Sequence, residues 1–338
     1  MKTLVCLQPG SFAYRETEKP SMKPGHALLK IRRIGVCGTD LHAFRGTQPY
    51  FEYPRVLGHE LAGELVDIDG AAGFSIGEVL TFIPYLHCGT CTACRQGKTN
   101  CCVNMRVCGV HVDGGMAEYF RVPVTQLVKT PGISMDAIAL IEPLSIAAHG
   151  VRRAGVSAGE RVLVVGAGPI GIATMQMAKL AGASVLAADV NETRLAFCRD
   201  TIGVDQVVPV DGIDVAARLR ELTGGDMPEV VIDASGSQQA MEQAFGYMAH
   251  AGRYVLIGLQ KGKISFSHPE FHKREATLMS SRNATRDDFE YVVRMIAAGH
   301  INPNVYITHR AEFDEVKDQF PGWLDPANGV IKAMIAMG

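Results

Sequence analysis

The sequence predicts an α/β protein that joins a β-rich first domain to a second domain built on a doubly wound parallel sheet. The chain has 338 residues, which exceeds the size at which a single hydrophobic core usually stops growing. Apolar β-type stretches at 2–8, 27–36 and 61–68 are separated by glycine and proline, as expected of short strands. From about Pro143 onward, predicted strands and helices alternate, which is typical of a parallel sheet.

The second domain contains a dinucleotide-binding pattern. An apolar run at 161–165 predicts a strand, and an apolar helix reaches Leu180. The turn between strand and helix consists of Gly166, Ala167, Gly168, Pro169, Ile170 and Gly171. In such turns the first glycine permits the tight bend, the second lets a pyrophosphate approach the backbone, and the third lets the helix pack on the sheet. The helix N-terminus then faces the phosphates.

The next predicted strand, at 185–188, is followed by Asp189. An acidic residue at this place accepts hydrogen bonds from the adenosine ribose hydroxyls and repels a 2′-phosphate, and Val190 has no group that could bind that phosphate. The sequence therefore predicts NAD rather than NADP. Arg194 leaves an alternative open, because it could stack on the adenosine or bind a phosphate, or it could lie on a solvated helix face.

A candidate metal site lies in the first domain. Cys37 offers a thiolate, His59 an imidazole nitrogen and Glu60 a carboxylate, a mixed set that suits zinc with one coordination position open for chemistry. We expect Glu60 and the later carboxylate of Glu142 to share the metal, one bound directly and the other hydrogen-bonded to its water. Taken singly, a buried thiol, a core histidine and an acidic residue at a helix start would also explain these positions.

Five of the nine cysteines lie between positions 88 and 102. We expect no secretion signal, so this clustering favours a metal over disulfides. Cys88, Cys91 and Cys94 are each separated by two residues, and either Cys101 or Cys102 could supply a fourth thiolate. Four sulfur ligands complete a tetrahedral zinc site and leave no position for substrate, so this zinc would be structural. An iron–sulfur cluster is the alternative, because such clusters use similar spacings.

Charge and hydropathy argue against several classes of partner. A net charge of -2 and a pI near 6.6 provide no basic surface for nucleic acid. The longest uncharged run, 162–178, is interrupted by three glycines and a proline, and the apolar stretch at 4–7 is too short for a signal peptide. We expect a cytoplasmic protein that binds neither nucleic acid nor membrane, and whose partners are small molecules and copies of itself in a homodimer or homotetramer.

Together these motifs resemble the zinc-containing medium-chain dehydrogenase/reductase family, which includes the alcohol and polyol dehydrogenases. The resemblance rests on Gly-x-Cys-Gly-x-Asp-x-His at 35–42, Gly-His-Glu at 58–60, the four-cysteine segment, Glu142 before Pro143, and the glycine-rich turn. These motifs occur in the family's order over essentially the whole chain. The resemblance also favours Cys102 over Cys101 as the fourth thiolate.

The resemblance implies a GroES-like catalytic domain at 1–145 and 284–338, which carries both zinc sites. It implies a Rossmann NAD-binding domain at 146–283, with zinc and nicotinamide meeting in the cleft between the two domains. Zinc in the Cys37 site would stabilise the alkoxide formed from a secondary alcohol, which then passes hydride to the nicotinamide.

Four further roles are implied by the same resemblance. Thr39 would take the alcohol proton and His42 would relay it outward, although a turn residue and a solvated histidine are the structural alternatives. Gly258 and Leu259 would contact the nicotinamide carboxamide through their backbone. These roles come from the family and not from the spacing of the residues.

Within the family, the stretches at 47–51, 269–273 and 281–285 resemble bacterial hexonate 5-dehydrogenases that act on L-gulonate or L-galactonate. We therefore expect a sugar acid that is oxidised at C5. Alternatives are a sorbitol-like polyol or L-threonine as substrate, an NADP-linked cinnamyl-type reductase, and an NAD-binding sensor without catalytic activity.

A sugar acid needs a cationic partner for its carboxylate. We expect Arg282 to bind it in a bidentate manner, with Asn283 contacting hydroxyls. Lys261 and His272 are less favoured candidates for the same role. Arg282 could instead pair with an acidic residue and order the zinc site.

Overall fold

The computed structural model describes residues 1–49, 51–70 and 73–338 of the chain. Tyr50, which belongs to the stretch at 47–51, lies outside the described residues. The chain forms two compact units: the first contains Met1–Glu142 and Thr285–Gly338, and the second contains Pro143–Ala284. Within the described ranges, no helix combines the length and the apolar character needed to cross a membrane.

The described residues form eighteen strands. In chain order they are β1 (Lys2–Gln8), β2 (Ser11–Glu16), β3 (His26–Val36), β4 (Arg55–Val56), β5 (Glu60–Ile68), β6 (Val79–Phe82), β7 (Tyr85–Leu86), β8 (Arg106–Val107), β9 (Tyr119–Pro123), β10 (Leu127–Lys129), β11 (Arg161–Val165), β12 (Ser184–Asp189), β13 (Gln206–Pro209), β14 (Val230–Asp233), β15 (Arg253–Leu256), β16 (Thr277–Ser280), β17 (Ile307–Glu312) and β18 (Lys332–Ala336).

The same residues form eleven α-helices. They are α1 (Gly38–Arg45), α2 (Thr92–Arg95), α3 (Met135–Ala139), α4 (Ile141–Ala154), α5 (Pro169–Leu180), α6 (Glu192–Phe197), α7 (Val215–Leu222), α8 (Gln238–Ala244), α9 (His268–Lys273), α10 (Arg286–Ala297) and α11 (Val316–Trp323). Short 3₁₀ helices lie at Thr99–Cys101, Val124–Gln126, Phe245–Tyr247, Pro303–Tyr306, Phe313–Glu315 and Pro326–Asn328, and a π-helical turn lies at Cys198–Ile202.

The first unit is built on a seven-stranded sheet in the order β10-β6-β5-β3-β18-β17, with β9 also paired to β3. A three-stranded sheet, β2-β1-β4, and a two-stranded antiparallel sheet, β7-β8, complete its strands. Apolar side chains such as Leu29, Leu61 and Ile335 form one core between these elements. The C-terminal strand β18 runs antiparallel beside β3, so this sheet brings the two ends of the chain together.

The second unit contains a six-stranded parallel sheet in the order β13-β12-β11-β14-β15-β16. This is the strand order of a doubly wound dinucleotide-binding sheet, whose order reverses between β11 and β14. All four residues of β14 are buried, because helices cover both faces of such a sheet and its strands are therefore apolar on both sides. The predicted fold class is confirmed.

One helix begins earlier than the sequence predicts. We expected a helix from Pro143, but α4 begins at Ile141 and contains Glu142 in its first turn. Proline is tolerated there because the first helical N–H groups have no intrahelical acceptor. The earlier start holds the Glu142 side chain in a defined direction rather than leaving it in a connecting loop.

Candidate functional site

Cys37 lies where β3 ends and α1 begins. It is the N-cap of α1, and its backbone N–H donates to Oδ2 of Asp40 at 2.9 Å. This capping contact between Cys37 and Asp40 fixes the backbone beside the thiol.

Strand pairing brings the other two predicted ligands to Cys37. Glu60 opens β5 and pairs with Gly35 on β3, two positions before Cys37. One ligand atom each of Cys37, His59 and Glu60 lies within 4.8 Å of the others. His59 and Glu60 are both buried, so this donor set is shielded from bulk water.

Asp40 supports this cluster, although the sequence did not suggest it as a functional residue. It is fully buried, and its Oδ1 accepts the N–H of Gly58 at 3.2 Å. The same Oδ1 lies 3.9 Å from Nδ1 of His59. A carboxylate behind a metal-binding histidine is a common way to orient the ring. Burial raises the pKa of Asp40.

Lys332 was also missed, and it forms a buried ion pair with Glu60. Its Nζ lies 2.7 Å from both Glu60 oxygens and donates to the carbonyl of Val36 at 3.1 Å. The side chain of Lys332 is only 3% exposed. Burial disfavours the charge of Lys332, but the Glu60 carboxylate nevertheless raises the pKa of Lys332 above its usual value.

Gly35 leaves room for this pair. A Cβ atom at position 35 would lie 2.2 Å from Oε2 of Glu60, far inside van der Waals contact. Since Lys332 holds that oxygen, the carboxylate could not move aside without losing the ion pair. Only glycine fits beside this carboxylate.

Glu142 is held by a different partner. It is 1% exposed, and the hydroxyl of Tyr85 donates a hydrogen bond to its Oε1. Its Oε2 is buried and has no hydrogen-bond partner among the described residues. Burial raises the pKa of Glu142 to about 7, and the nearby charge of His59 opposes this shift. Tyr85 was not predicted as a site residue.

The donor set fits a zinc ion. Burial disfavours charge on His59, yet Cys37 and Asp40 raise the pKa of this histidine well above its usual value, which shows that the cluster attracts positive charge. Thiolate, imidazole and carboxylate are the ligand types of catalytic zinc sites. Cys37, His59 and Glu60 would hold the ion. Glu142 is not in the group whose ligand atoms lie within 4.8 Å of one another, although its charge acts on His59, so its predicted share in the metal stays a prediction.

Thr39 and His42 lie three residues apart on α1, and such residues are neighbours on a helix surface. Thr39 is half-buried and His42 is exposed. Nδ1 of His42 lies 2.9 Å from the hydroxyl of Thr47. This arrangement is compatible with the predicted route from a buried hydroxyl to solvent, and the roles of both residues stay predictions.

The four predicted cysteines of the second metal site come together. The Sγ atoms of Cys88, Cys91, Cys94 and Cys102 all lie within 4.8 Å of one another, and those of Cys88 and Cys102 are 3.5 Å apart. Zinc–sulfur bonds of about 2.3 Å at tetrahedral angles place sulfur atoms roughly 3.8 Å apart, so zinc fits. Cys101 is exposed and Cys102 is buried, which resolves the choice between them in favour of Cys102.

The glycine-rich turn has the geometry that binding a pyrophosphate requires. Gly166 has φ +102°, and a Cβ at Gly171 would lie 1.8 Å from the carbonyl oxygen of Gly166. A Cβ at Gly168 would meet nothing within 4 Å, which leaves open space for a ligand. Gly168 caps α5, and Pro169 occupies its first turn ahead of Ile170. The N–H groups of this helix end are therefore available to phosphate oxygens.

Asp189 lies at the carboxyl end of β12, beside this turn. One carboxylate oxygen accepts the N–H of Ala167 and the other accepts that of Asn191 at 2.7 Å. Each oxygen has further lone pairs for ribose hydroxyls. Val190 is exposed, and the half-buried Arg194 lies in the first turns of α6. The roles of Asp189 and Arg194 toward an adenosine stay predictions.

The remaining predicted residues lie just beyond β15 and β16. Gly258 packs on the loop after β14, since a Cβ there would lie 2.6 Å from Oδ1 of Asp233. Leu259 next to it is 65% exposed. Arg282 is exposed, and Asn283 adopts a left-handed conformation with φ +54°. Because parallel strands end at one edge of the sheet, these residues share that edge with the glycine-rich turn.

We expect Lys332→Met to lower the free energy of unfolding by about 3–5 kcal/mol, because it leaves the buried Glu60 carboxylate without its cation. Urea denaturation followed by circular dichroism measures this loss. Lys2→Met is the matched control, since it makes the same change in the more exposed Lys2–Asp314 pair and should cost much less. Adding Glu60→Gln to Lys332→Met should recover part of the stability. Equal losses for the two lysine variants would contradict the assigned ion pair.

Known proteins match both units of the chain. Residues 23–132 match the alcohol dehydrogenase GroES-like domain, and residues 169–298 match the zinc-binding dehydrogenase family. The L-galactonate-5-dehydrogenase of Escherichia coli (strain K12) is 44% identical over 321 residues, which cover 95% of this chain and 94% of that protein.

Solved structures match over nearly the full length. The alcohol dehydrogenase RspB from E. coli CFT073, complexed with NADH, has a TM-score of 0.93 and 29% identity over 99% of both chains. A zinc-binding dehydrogenase from Sinorhizobium meliloti 1021, bound to NADP, has a TM-score of 0.92 and 28% identity over 99% of this chain and 98% of that one. The chain therefore belongs to the zinc-type medium-chain alcohol dehydrogenase family and is an NAD(P)-dependent oxidoreductase that acts on CH–OH groups of a small molecule.

Proposed function

We propose that the protein oxidises C5 of a hexonate, either L-gulonate or L-galactonate, to a keto-hexonate with zinc and NAD. The observation that carries this proposal is the buried cluster of Cys37, His59 and Glu60, which is suited to a catalytic zinc. The substrate class is supported by 44% identity to an L-galactonate-5-dehydrogenase across 95% of the chain.

The two metal sites have different tasks. Cys37, His59 and Glu60 would hold a zinc ion whose positive charge would favour loss of the alcohol proton, and the second unit would hold NAD as the hydride acceptor. Thr39 would accept that proton as its own hydroxyl proton moves on through the cofactor ribose to His42, and the exposed His42 would release it to solvent. The four-cysteine site holds a structural zinc, because its four sulfur donors leave no position for substrate.

Each unit of the chain carries one part of this reaction. Residues 1–145 and 284–338 provide both metal sites, and residues 146–283 bind NAD through the glycine-rich turn, Asp189 and Arg194. The backbone of Gly258 and Leu259 contacts the nicotinamide. We propose that the active form is a homodimer or homotetramer, which light scattering on the purified protein measures directly.

We expect two zinc ions per chain by metal analysis. Cys37→Ser should lose one ion and nearly all turnover while keeping its unfolding temperature, because it removes a ligand from the catalytic site only. Cys91→Ser should lose the other ion and chiefly lower the unfolding temperature. Cys101→Ser is the matched control, since Cys101 is exposed and outside the four-sulfur cluster, and should change neither. A stable, inactive Cys91→Ser protein would reverse the two assignments.

NAD is preferred over NADP because of the Asp189 carboxylate. A 2′-phosphate would place a second negative charge beside the Asp189 carboxylate. Two backbone N–H groups hold the oxygens of this carboxylate, so the carboxylate could not rotate away from the phosphate. Solved relatives bind either NADH or NADP. The choice of cofactor therefore rests on residues of this chain.

We expect wild-type kcat/KM to be higher with NAD than with NADP. Asp189→Ala should shift that ratio toward NADP by roughly tenfold, which corresponds to about 1.4 kcal/mol, because it removes the repulsion. Steady-state kinetics with both cofactors give the ratio. Asp205→Ala is the control, since Asp205 also accepts a backbone N–H, from Val185 at 2.7 Å, but lies away from the turn. An unchanged ratio in Asp189→Ala would refute this role.

The substrate carboxylate is bound by Arg282, and Asn283 contacts hydroxyls. Arg282 is exposed and follows β16, the last strand of the parallel sheet. Ligands of such sheets bind at the carboxyl ends of the strands, and Arg282 lies at that edge. A planar guanidinium can bind both oxygens of a carboxylate at once. A neutral polyol offers no partner for this charge, so the proposal predicts that a sugar acid is preferred.

The wild-type protein should oxidise L-gulonate or L-galactonate faster than sorbitol or L-threonine in an NADH-formation assay. Arg282→Gln should raise KM for the aldonate by roughly tenfold or more and leave KM for the matching alditol nearly unchanged, since only the aldonate carries the charge. Arg274→Gln, which breaks an ion pair with Glu270, is the control. Equal losses for both substrates would assign Arg282 an ordering role, and a faster rate with sorbitol would overturn the hexonate proposal.

A further inference from the structure

We propose that Tyr85 is a positioning residue of the metal site, which holds Oε1 of Glu142 so that Oε2 alone faces the metal. This inference rests on the proposed function, because it requires zinc at the cluster of Cys37, His59 and Glu60. Tyr85 acts through Glu142 and contacts neither the metal nor the substrate.

The Tyr85 hydroxyl occupies a fixed place. Tyr85 lies in β7, where its backbone pairs with Val107 of β8, and the residue is 3% exposed. Its ring packs edge to face on Phe289, with ring centroids 6.2 Å apart at an interplanar angle of 75°. The ring is thus held by its own strand and by α10, so the oxygen cannot follow Glu142 if the carboxylate rotates.

The two oxygens of Glu142 are not equivalent. Oε1 accepts the Tyr85 hydrogen bond, whereas Oε2 is buried without a hydrogen-bond partner in the described parts of the chain. A buried carboxylate oxygen without a partner is costly, and native structures rarely contain one. Oε2 therefore faces a group that completes the site when bound. A cation or its bound water is the partner that a carboxylate oxygen requires.

The contrast with Glu60 identifies which carboxylate oxygen has no hydrogen-bond partner among the described residues, namely Oε2 of Glu142. Both oxygens of Glu60 lie 2.7 Å from the Lys332 ammonium, which neutralises the charge and holds the group. Tyr85 is an uncharged donor to a single oxygen, so the other oxygen of Glu142 stays available to a cation. The Tyr85 hydrogen bond also prevents Glu142 from presenting both oxygens, and it thereby enforces one-oxygen binding that leaves a coordination position open.

Tyr85→Phe removes one oxygen atom and keeps the ring packing. We expect it to weaken zinc binding at the Cys37 site by roughly 10- to 100-fold, the usual effect of losing a group that orients a ligand. The zinc affinity is measured by titrating the protein with a chelator and determining how much zinc it retains. The zinc ion that is absent from Cys37→Ser is the one bound at the Cys37 site. The cobalt-substituted protein should also show altered visible absorption, because Glu142 can then bind with two oxygens.

Tyr254→Phe is the matched control. Tyr254 is fully buried, its hydroxyl donates to the carbonyl of Met241 at 3.0 Å, and its ring packs edge to face on Phe245. This variant loses an equivalent hydrogen bond in the second unit, so it should lose stability but keep the zinc affinity and the cobalt spectrum. A general effect of removing a buried hydroxyl would appear in both variants.

A double-mutant cycle provides the decisive comparison. If Tyr85 acts through Glu142, Tyr85→Phe should cause no further loss of zinc affinity in a Glu142→Gln background. An additional loss in that background, or an unchanged affinity and cobalt spectrum in the single variant, would overturn the inference. If the wild-type protein and Cys37→Ser hold the same amount of metal, the proposed zinc function itself fails. If the wild-type protein binds zinc and Tyr85→Phe binds it with the same affinity, only the positioning role of Tyr85 is refuted.

Discussion

The metal site depends on how the protein keeps the Glu60 carboxylate charged in its interior. Removing a carboxylate from water costs several kcal/mol unless a cation and further hydrogen bonds replace the lost hydration. Lys332 provides both, since it contacts the two Glu60 oxygens and the Val36 carbonyl. This contact requires β18 to pair with β3 in one register, and it requires glycine at position 35. The sheet and the ligand cluster therefore form together.

The two buried carboxylates of this site differ because their partners differ. Glu60 lies against an ammonium and Glu142 against an uncharged phenol. Both oxygens of Glu60 contact the Lys332 ammonium, whereas Oε2 of Glu142 has no hydrogen-bond partner among the described residues. Negative charge in a water-poor site attracts a cation strongly. The first unit thus contains both a buried ion pair, Lys332–Glu60, and a buried carboxylate oxygen, Oε2 of Glu142, that a bound cation would satisfy.

The dinucleotide turn is determined by close backbone contacts. A Cβ at Gly166 would meet the backbone of Ser235 at 2.8 Å, and one at Gly258 would meet Asp233 at 2.6 Å. The buried Asp233 also accepts the hydroxyl and the N–H of Ser235. Adjacent loops at the carboxyl edge of the sheet therefore hold one another in place before any cofactor binds. A rigid turn of this kind reduces the entropy lost when a pyrophosphate is bound.

Residue patterns alone predicted the fold class, the candidate metal-binding clusters and the glycine-rich turn, because each depends on residues that are close along the chain or on a strand–turn–helix pattern. Tertiary structure decided between Cys101 and Cys102, since only Cys102 is buried against Cys88. It alone identified Lys332 and Tyr85, which lie 272 and 57 residues from the carboxylates they contact. Local pattern carries no information over such separations, and only strand register and the start of α4 bring these side chains together.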